Sequence, residues 1–230
     1  MATKAVLAEL AGAFEARTGQ PVTLQSIGGV EAVRRVQAGE AFDVVALSRD
    51  AVEKLLASGH LAAGSAVNLA QSPVAVAVRA GARRPEIGDE EELRRAVQAA
   101  RNIGISTGPS GVALAQLFER WGLAAELRDR IVTPPPGVPV GAFVASGRAE
   151  LGFQQLSELA RLEGIEVLGP LPPAIQIVTT FAAAVGAAAR QPDAARALIA
   201  FLASPAAAEA KRRHGMEPAD AAPAAGGADR

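Results

Sequence analysis

Residues 103–121 read IGISTGPSGVALAQLFERW, and the change of period within this stretch decides the fold. Ile103 to Ile105 is short and apolar, the pattern of a buried strand. After STGPSG, Leu114, Leu117, Phe118 and Trp121 recur at helical spacing and mark a core-facing helix from Val112 to Trp121. The first N–H groups of such a helix lack intrahelical acceptors and sit at the positive end of its dipole. Ser106, Thr107, Gly108, Ser110 and Gly111 are therefore candidates for holding an anion with uncharged donors. An ordinary connection with a capping serine carries the same local signature, so a second junction of this kind is needed.

Two more exist. After the β-prone residues 21–25 the chain reads SIGG and turns helical, with Val33 and Val36 one turn apart and Gly39 as a stop, which adds Ser26, Gly28 and Gly29. Residues 42–47, FDVVAL, form the clearest buried strand, and Ser48 is placed to cap a helix that ends at Gly59. Arg49 is the cation at these three mouths and reads first as a solvated surface charge.

Strands and helices alternate along the rest of the chain. Residues 67–78 are extended, with Val74, Val76 and Val78 alternating with alanine, and residues 175–181 form a second extended run. Asp89 and Glu92 make a capping box for the helix that precedes Ile103. Residues 134–141, PPPGVPVG, are stiff because proline fixes φ. A buried strand then ends at Phe153, leaving Gln154 and Gln155 at its carboxyl end. The alternation predicts an α/β fold of mostly parallel sheets flanked by helices, with a two-strand hinge. The two extended runs divide it into a discontinuous domain of residues 1–70 and 177–215 and a domain of residues 71–176. Residues 216–230 are expected to be a disordered tail. In such sheets ligands sit beyond the carboxyl ends of the strands.

Composition removes several function classes. Over 230 residues, 23 basic against 24 acidic side chains leave no broad electrostatic footprint for nucleic acid. Cysteine is absent and histidine occurs twice, so a metal site or a Ser-His-Asp triad has little material, and no cofactor is expected. His60 and His214 each follow a helical run and read as partners of helix carboxyl ends. The chain shows neither a long apolar run nor the layered pattern of a signal peptide.

The SIGG junction, the FDVVALS strand and helix, the STGPSG loop and the two extended runs together resemble type II periplasmic solute-binding proteins, most closely those that bind molybdate. The likeness runs over about residues 5–215. It implies a Venus-flytrap protein that captures a tetrahedral oxyanion such as molybdate or tungstate, works in the periplasm as a monomer, and delivers its ligand to the membrane permease of an ABC importer. By position Ser26 matches the family's first-domain serine, the STGPSG loop its second-domain anion loop, and Val138 and Val140 its later backbone contact. The resemblance also implies a preceding strand that ends in serine, a tyrosine where this chain has Gln154 and Gln155, and an export signal, so a late start or a fragment is expected. An isomerase of a small unsaturated polycarboxylate on the same scaffold, as in aconitate isomerase, is the alternative. Its base and cations would come from Lys4, Glu31 and Arg49.

Overall fold

A computed structural model of the chain describes residues 2–135 and 137–219. In chain order its elements are α1 (Lys4–Thr18), α2 (Gly29–Gln37), β1 (Val44–Ser48), α3 (Arg49–Ala57), β2 (Val67–Arg79), α4 (Glu90–Ala99), β3 (Ile103–Ile105), α5 (Pro109–Arg120), α6 (Ala124–Leu127), β4 (Ile131–Val132), α7 (Val140–Ala145), β5 (Leu151–Gln155), α8 (Leu156–Leu159), β6 (Ile165–Pro170), β7 (Val178–Val185), α9 (Pro192–Ala203), α10 (Ala208–Arg213) and β8 (Glu217–Pro218). They form two compact units. Unit one holds Ala2, Ser26–Val30 and Ser72–Thr179, and unit two holds Thr3–Gln25, Glu31–Gln71 and residues 180–219.

Unit one is a sheet covered on both faces. β3 pairs in parallel with β4 and with β5, while β2 runs antiparallel to β5 and β6. Strand alternation sorts its side chains. Val74, Val76 and Val78 of β2, Ile103 and Ile105 of β3, and Leu151 and Phe153 of β5 join one core with Leu93, Val97, Leu114, Leu117 and Phe118 of α4 and α5. The intervening Ala75 and Ala77 pack with Leu159 of α8 in a thinner layer. The Phe118 ring meets Phe153 edge-on at 6.0 Å. At the start of α4 the Asp89 side chain accepts from Glu92 N–H at 2.8 Å, as the capping box predicts, while the Glu92 carboxylate reaches Gly88 N–H, also at 2.8 Å. The carboxyl end of α4 is held by Arg130, whose guanidinium donates to the carbonyls of Val97 and Gln98 at 2.8 Å each and to that of Ala100.

In unit two β1 pairs antiparallel with β7, from Val44↔Val185 to Ser48↔Phe181. Val45, Leu47, Val52, Leu55 and Leu61 form its core against Ala182 and Ala184. Helix α1 packs on α9 and α10, with Phe14 and Phe201 5.7 Å apart. Its Glu9 carboxylate bonds the buried His214 Nε2 at 2.7 Å and also the Arg213 guanidinium, which reaches Glu209 at 2.8 Å. Arg213 first, then His214, hold the Glu9 carboxyl below its ordinary value of 4.5, against a smaller opposing effect of burial. A carboxyl lowered by folding stabilises the fold above its unfolded value, and that contribution is lost as pH falls through the folded value. Stability should therefore drop below about pH 4.5, and in Glu9→Gln the drop should be shallower; urea midpoints measured from pH 6 to pH 3 check this.

Three expectations are corrected. Among the described pairings whose direction is fixed, β3–β4 and β3–β5 are parallel and the others antiparallel, whereas mostly parallel sheets were expected. β2 and β7 enter each unit from the other instead of through a βαβ crossover, which is what makes neighbours parallel, and they pair antiparallel with β1, β5, β6 and β8. Residues 21–25 pair with no strand among the described residues; Val22 gives its N–H to the Glu15 carboxylate, and Leu24 is exposed. In the expected tail, Met216 is buried and β8 pairs with β2, because Met216 brings apolar surface that the unit covers. Residues 220–230 of that tail lie outside the described residues. No described helix is long and apolar enough to cross a membrane.

Candidate functional site

Strand register brings three loops of unit one to one edge. Ile105 pairs with Phe153, and Gly104 pairs with Val132, so the chain leaves β3 at Ser106, β4 at Thr133 and β5 at Gln155 on the same side. This is the carboxyl edge of the parallel strands, where α/β sheets bind ligands. β2 runs the other way, Val74 opposite Gln155, so its unit-one start at Ser72 lies on this edge too. The Ser72 hydroxyl donates to Ser157 Oγ at 3.2 Å.

Glycine lets α7 lie against the sheet here. Gly104 and Gly152 are paired neighbours. A Cβ on Gly104 would stand 2.7 Å from Val140 Cγ1, and one on Gly152 would stand 2.3 Å from Val144 Cγ2. Val140 is consequently seated over the glycines, and its N–H donates to Gln154 Oε1 at 2.8 Å. The Val138 N–H goes to the Pro135 carbonyl at 3.1 Å. Both backbone donors expected to face an anion are thus already bonded within unit one.

The hydroxyl loop is tighter than the sequence implies. Helix α5 starts at Pro109, not Val112, because proline suits the first helical turn, where its missing N–H costs nothing. Ser106, Thr107 and Gly108 precede the helix, and Ser110 and Gly111 lie in its first turn. Ser106 Oγ and Ser110 Oγ are 3.2 Å apart, with Ser110 only 3% exposed and Thr107 exposed. Gly111 presses on the loop backbone so closely that an added Cβ would lie 1.7 Å from the Ser106 carbonyl oxygen.

The two glutamines are buried at the end of β5 and point to opposite faces. Gln154 takes the Val140 N–H and favours ionisation of the half-buried Glu158 on α8. Burial is the larger effect and pushes the Glu158 carboxyl above the usual range. Gln155, 4% exposed, donates through Nε2 to Thr179 Oγ1 at 2.5 Å, while its buried Oε1 has no partner. Because the threonine hydroxyl can donate as well as accept, the unsatisfied end of this amide can be either C=O or NH2.

Ser26, Gly28 and Gly29 belong to unit one, Gly29 opening α2, and no Cβ at Gly28 or Gly29 would meet another atom within 4 Å. Ser48 lies in unit two at the end of β1 as the residue before α3, but its hydroxyl makes no capping bond. Arg49 bonds Glu53 at 2.6 Å and Asn68 at 2.8 Å, so it is tied within unit two. Glu31 is tied to Arg34 at 2.6 Å, and Lys4 is an exposed residue at the start of α1. Sequence reasoning missed Glu158 and Thr179. One sits in a helix of four residues and the other at the start of a long strand, so neither stands in a loop that composition marks.

The family model for bacterial extracellular solute-binding proteins matches residues 1–217. An aconitate isomerase of Pseudomonas sp is 39% identical over 223 residues, covering 94% of this chain and 84% of that one. The molybdate-binding protein ModA of Azotobacter vinelandii is 28% identical over 161 residues, 67% of this chain and 62% of that one. Among solved structures, the periplasmic molybdate-binding protein of Azotobacter vinelandii superposes with a TM-score of 0.77 at 24% identity, covering 93% and 94% of the two chains. The substrate-binding domain of a molybdenum ABC transporter of Clostridium difficile gives 0.74 at 16% identity, covering 95% and 96%. The chain belongs to the bacterial extracellular solute-binding proteins, as a two-domain type II member similar to ModA.

Proposed function

We propose that this protein captures a small anion on the neutral donors at the carboxyl edge of unit one. We take the anion to be an unsaturated polycarboxylate of the aconitate type, whose double bond the protein shifts. The observation that carries this reading is the 39% identity to an aconitate isomerase over 94% of the chain. A double-bond shift needs donors for the carboxylates and one group that takes and returns a proton. Unit one offers the hydroxyls of Ser106 and Ser110, the unsatisfied amide end of Gln155 and one shielded carboxyl.

Capture of molybdate or tungstate for an ABC importer is the second reading, with a periplasmic location and a permease partner. It is favoured by the lack of lysine, arginine and histidine in residues 106–111, 133–140 and 154–159, since a tetrahedral dianion is held well by neutral donors. Thermal shift separates the two, because a ligand that binds only the folded state raises the midpoint by mass action. A shift with cis- and trans-aconitate, joined by their interconversion in proton NMR, is expected; a shift with molybdate and tungstate alone overturns the polycarboxylate reading.

In either case neutral donors do the holding. Ser26→Ala and Ser110→Ala should each weaken the ligand by about 1 to 3 kcal/mol, as for hydrogen bonds to a charged group. Arg49→Ala should change little, because its guanidinium is occupied by Glu53 and Asn68. Isothermal titration giving the opposite order would assign the ligand to a salt bridge.

A further inference from the structure

We infer that Thr179 is the positioning residue that turns the Gln155 amide so that its NH2 faces the ligand, which makes Gln155 the side chain that selects anions at this edge; the inference rests on the anion-capture reading above. Alternation puts Gln155 on the same face of the sheet as Phe153, the face that α5 covers, and at the edge where α5 begins. Its pairing neighbour in β2, Val74, is fully buried and gives its N–H to the Ile177 carbonyl at 2.8 Å on the side away from β5. β2 therefore lies between Gln155 and residues 177–179, and the amide spans that strand to reach Thr179 Oγ1 at 2.5 Å. The valine side chain beneath it offers neither a donor nor an acceptor. One end of the amide is thus fixed by a hydroxyl, while the other, on a side chain 4% exposed, is left without a partner. A buried polar atom kept unpaired costs free energy, and a ligand that pairs with it removes that cost.

The charge of the ligand decides which end must be free. An anion accepts hydrogen bonds and donates none, so the NH2 end of Gln155 can meet it and the carbonyl end repels it. The two ends exchange places by a half-turn of the terminal torsion. With the carbonyl turned to Thr179, the hydroxyl proton goes to Oε1, and both amide protons are left for the ligand. Among the described residues the Thr179 hydroxyl makes no hydrogen bond besides the one to Gln155, so its proton is available for this. Valine at residue 179 would have the same shape but no proton to give, whereas serine would have one.

The test is isothermal titration of the full chain with trans-aconitate at pH 8, repeated with molybdate. Gln155→Glu keeps the shape and exchanges the NH2 for an anionic oxygen, so it should lower affinity by at least about 100-fold, more than Gln155→Leu does. Thr179→Val should lower affinity about tenfold, and Thr179→Ser should stay within about threefold of wild type. Thr179→Val added to Gln155→Leu should cost nothing further, since the amide that it turns is gone. A threonine with only a structural role would weaken the Gln155→Leu protein as much as wild type, and that result would overturn the inference. Gln155→Glu binding as tightly as wild type would show that the carbonyl end faces the ligand and would overturn it as well. Wild type that binds neither probe would instead overturn the anion reading itself. That result is read before any substitution is made.

Discussion

Gly111→Ala is expected to abolish ligand binding and to destabilise unit one by about 3 kcal/mol, the upper range for forced overpacking. The added methyl carbon would lie 1.7 Å from the Ser106 carbonyl oxygen and 2.7 Å from its carbonyl carbon. Both are backbone atoms, so no rotamer change relieves the overlap. Either α5 slides away from the sheet, where Leu114, Leu117 and Phe118 are fully packed, or the loop at Ser106 moves. Each route parts Ser106 Oγ from Ser110 Oγ and turns the first-turn N–H groups away. The measurements are the urea midpoint and the thermal shift with trans-aconitate. Gly12→Ala in α1 is the control: space around that position is open, it lies in unit two, and binding and stability should stay near wild type.

Gln155→Leu should separate binding from stability. The amide is buried, donates to Thr179 Oγ1 and leaves its other polar atom without a partner, an arrangement that costs free energy until something fills it. A leucine of similar volume removes that cost and should leave the urea midpoint unchanged or slightly higher. Affinity should fall by about 2 kcal/mol, near thirtyfold, if the ligand is what satisfies the amide. Thr179 is the last residue of unit one before β7 continues into unit two, so this contact also ties the site to one of the two crossings. Gln155→Leu binding as tightly as wild type in isothermal titration would place the ligand elsewhere.

Sequence periodicity and turn chemistry were enough for most of the architecture. Alternation located β2 and assigned its valines and alanines to different faces, the capping box placed α4, and the apolar stripe from Leu114 to Trp121 placed α5. These are local signals, set by a few neighbouring residues. Where register, crossing or partner decides the outcome, local signals failed. The antiparallel pairing of β2 and β7, the unpaired residues 21–25 and the strand at residues 217–218 all depend on which distant segment is available to accept hydrogen bonds.

The candidate site divides in the same way. The hydroxyl and glycine loop at residues 106–111 was legible because free N–H groups at a helix start call for small polar residues. Sequence alone determined that the chain lacks the cysteine and clustered histidine of metal chemistry, while strand register decided which loops share one edge. Only tertiary structure decided what those groups do. It committed the Val138 and Val140 N–H groups to Pro135 and Gln154, tied Arg49 to Glu53 and Asn68, left one end of Gln155 unsatisfied and shielded Glu158. The reason is physical. A residue's donor or acceptor type is written in its side chain, but whether that capacity is already used depends on neighbours that only packing brings within 3 Å.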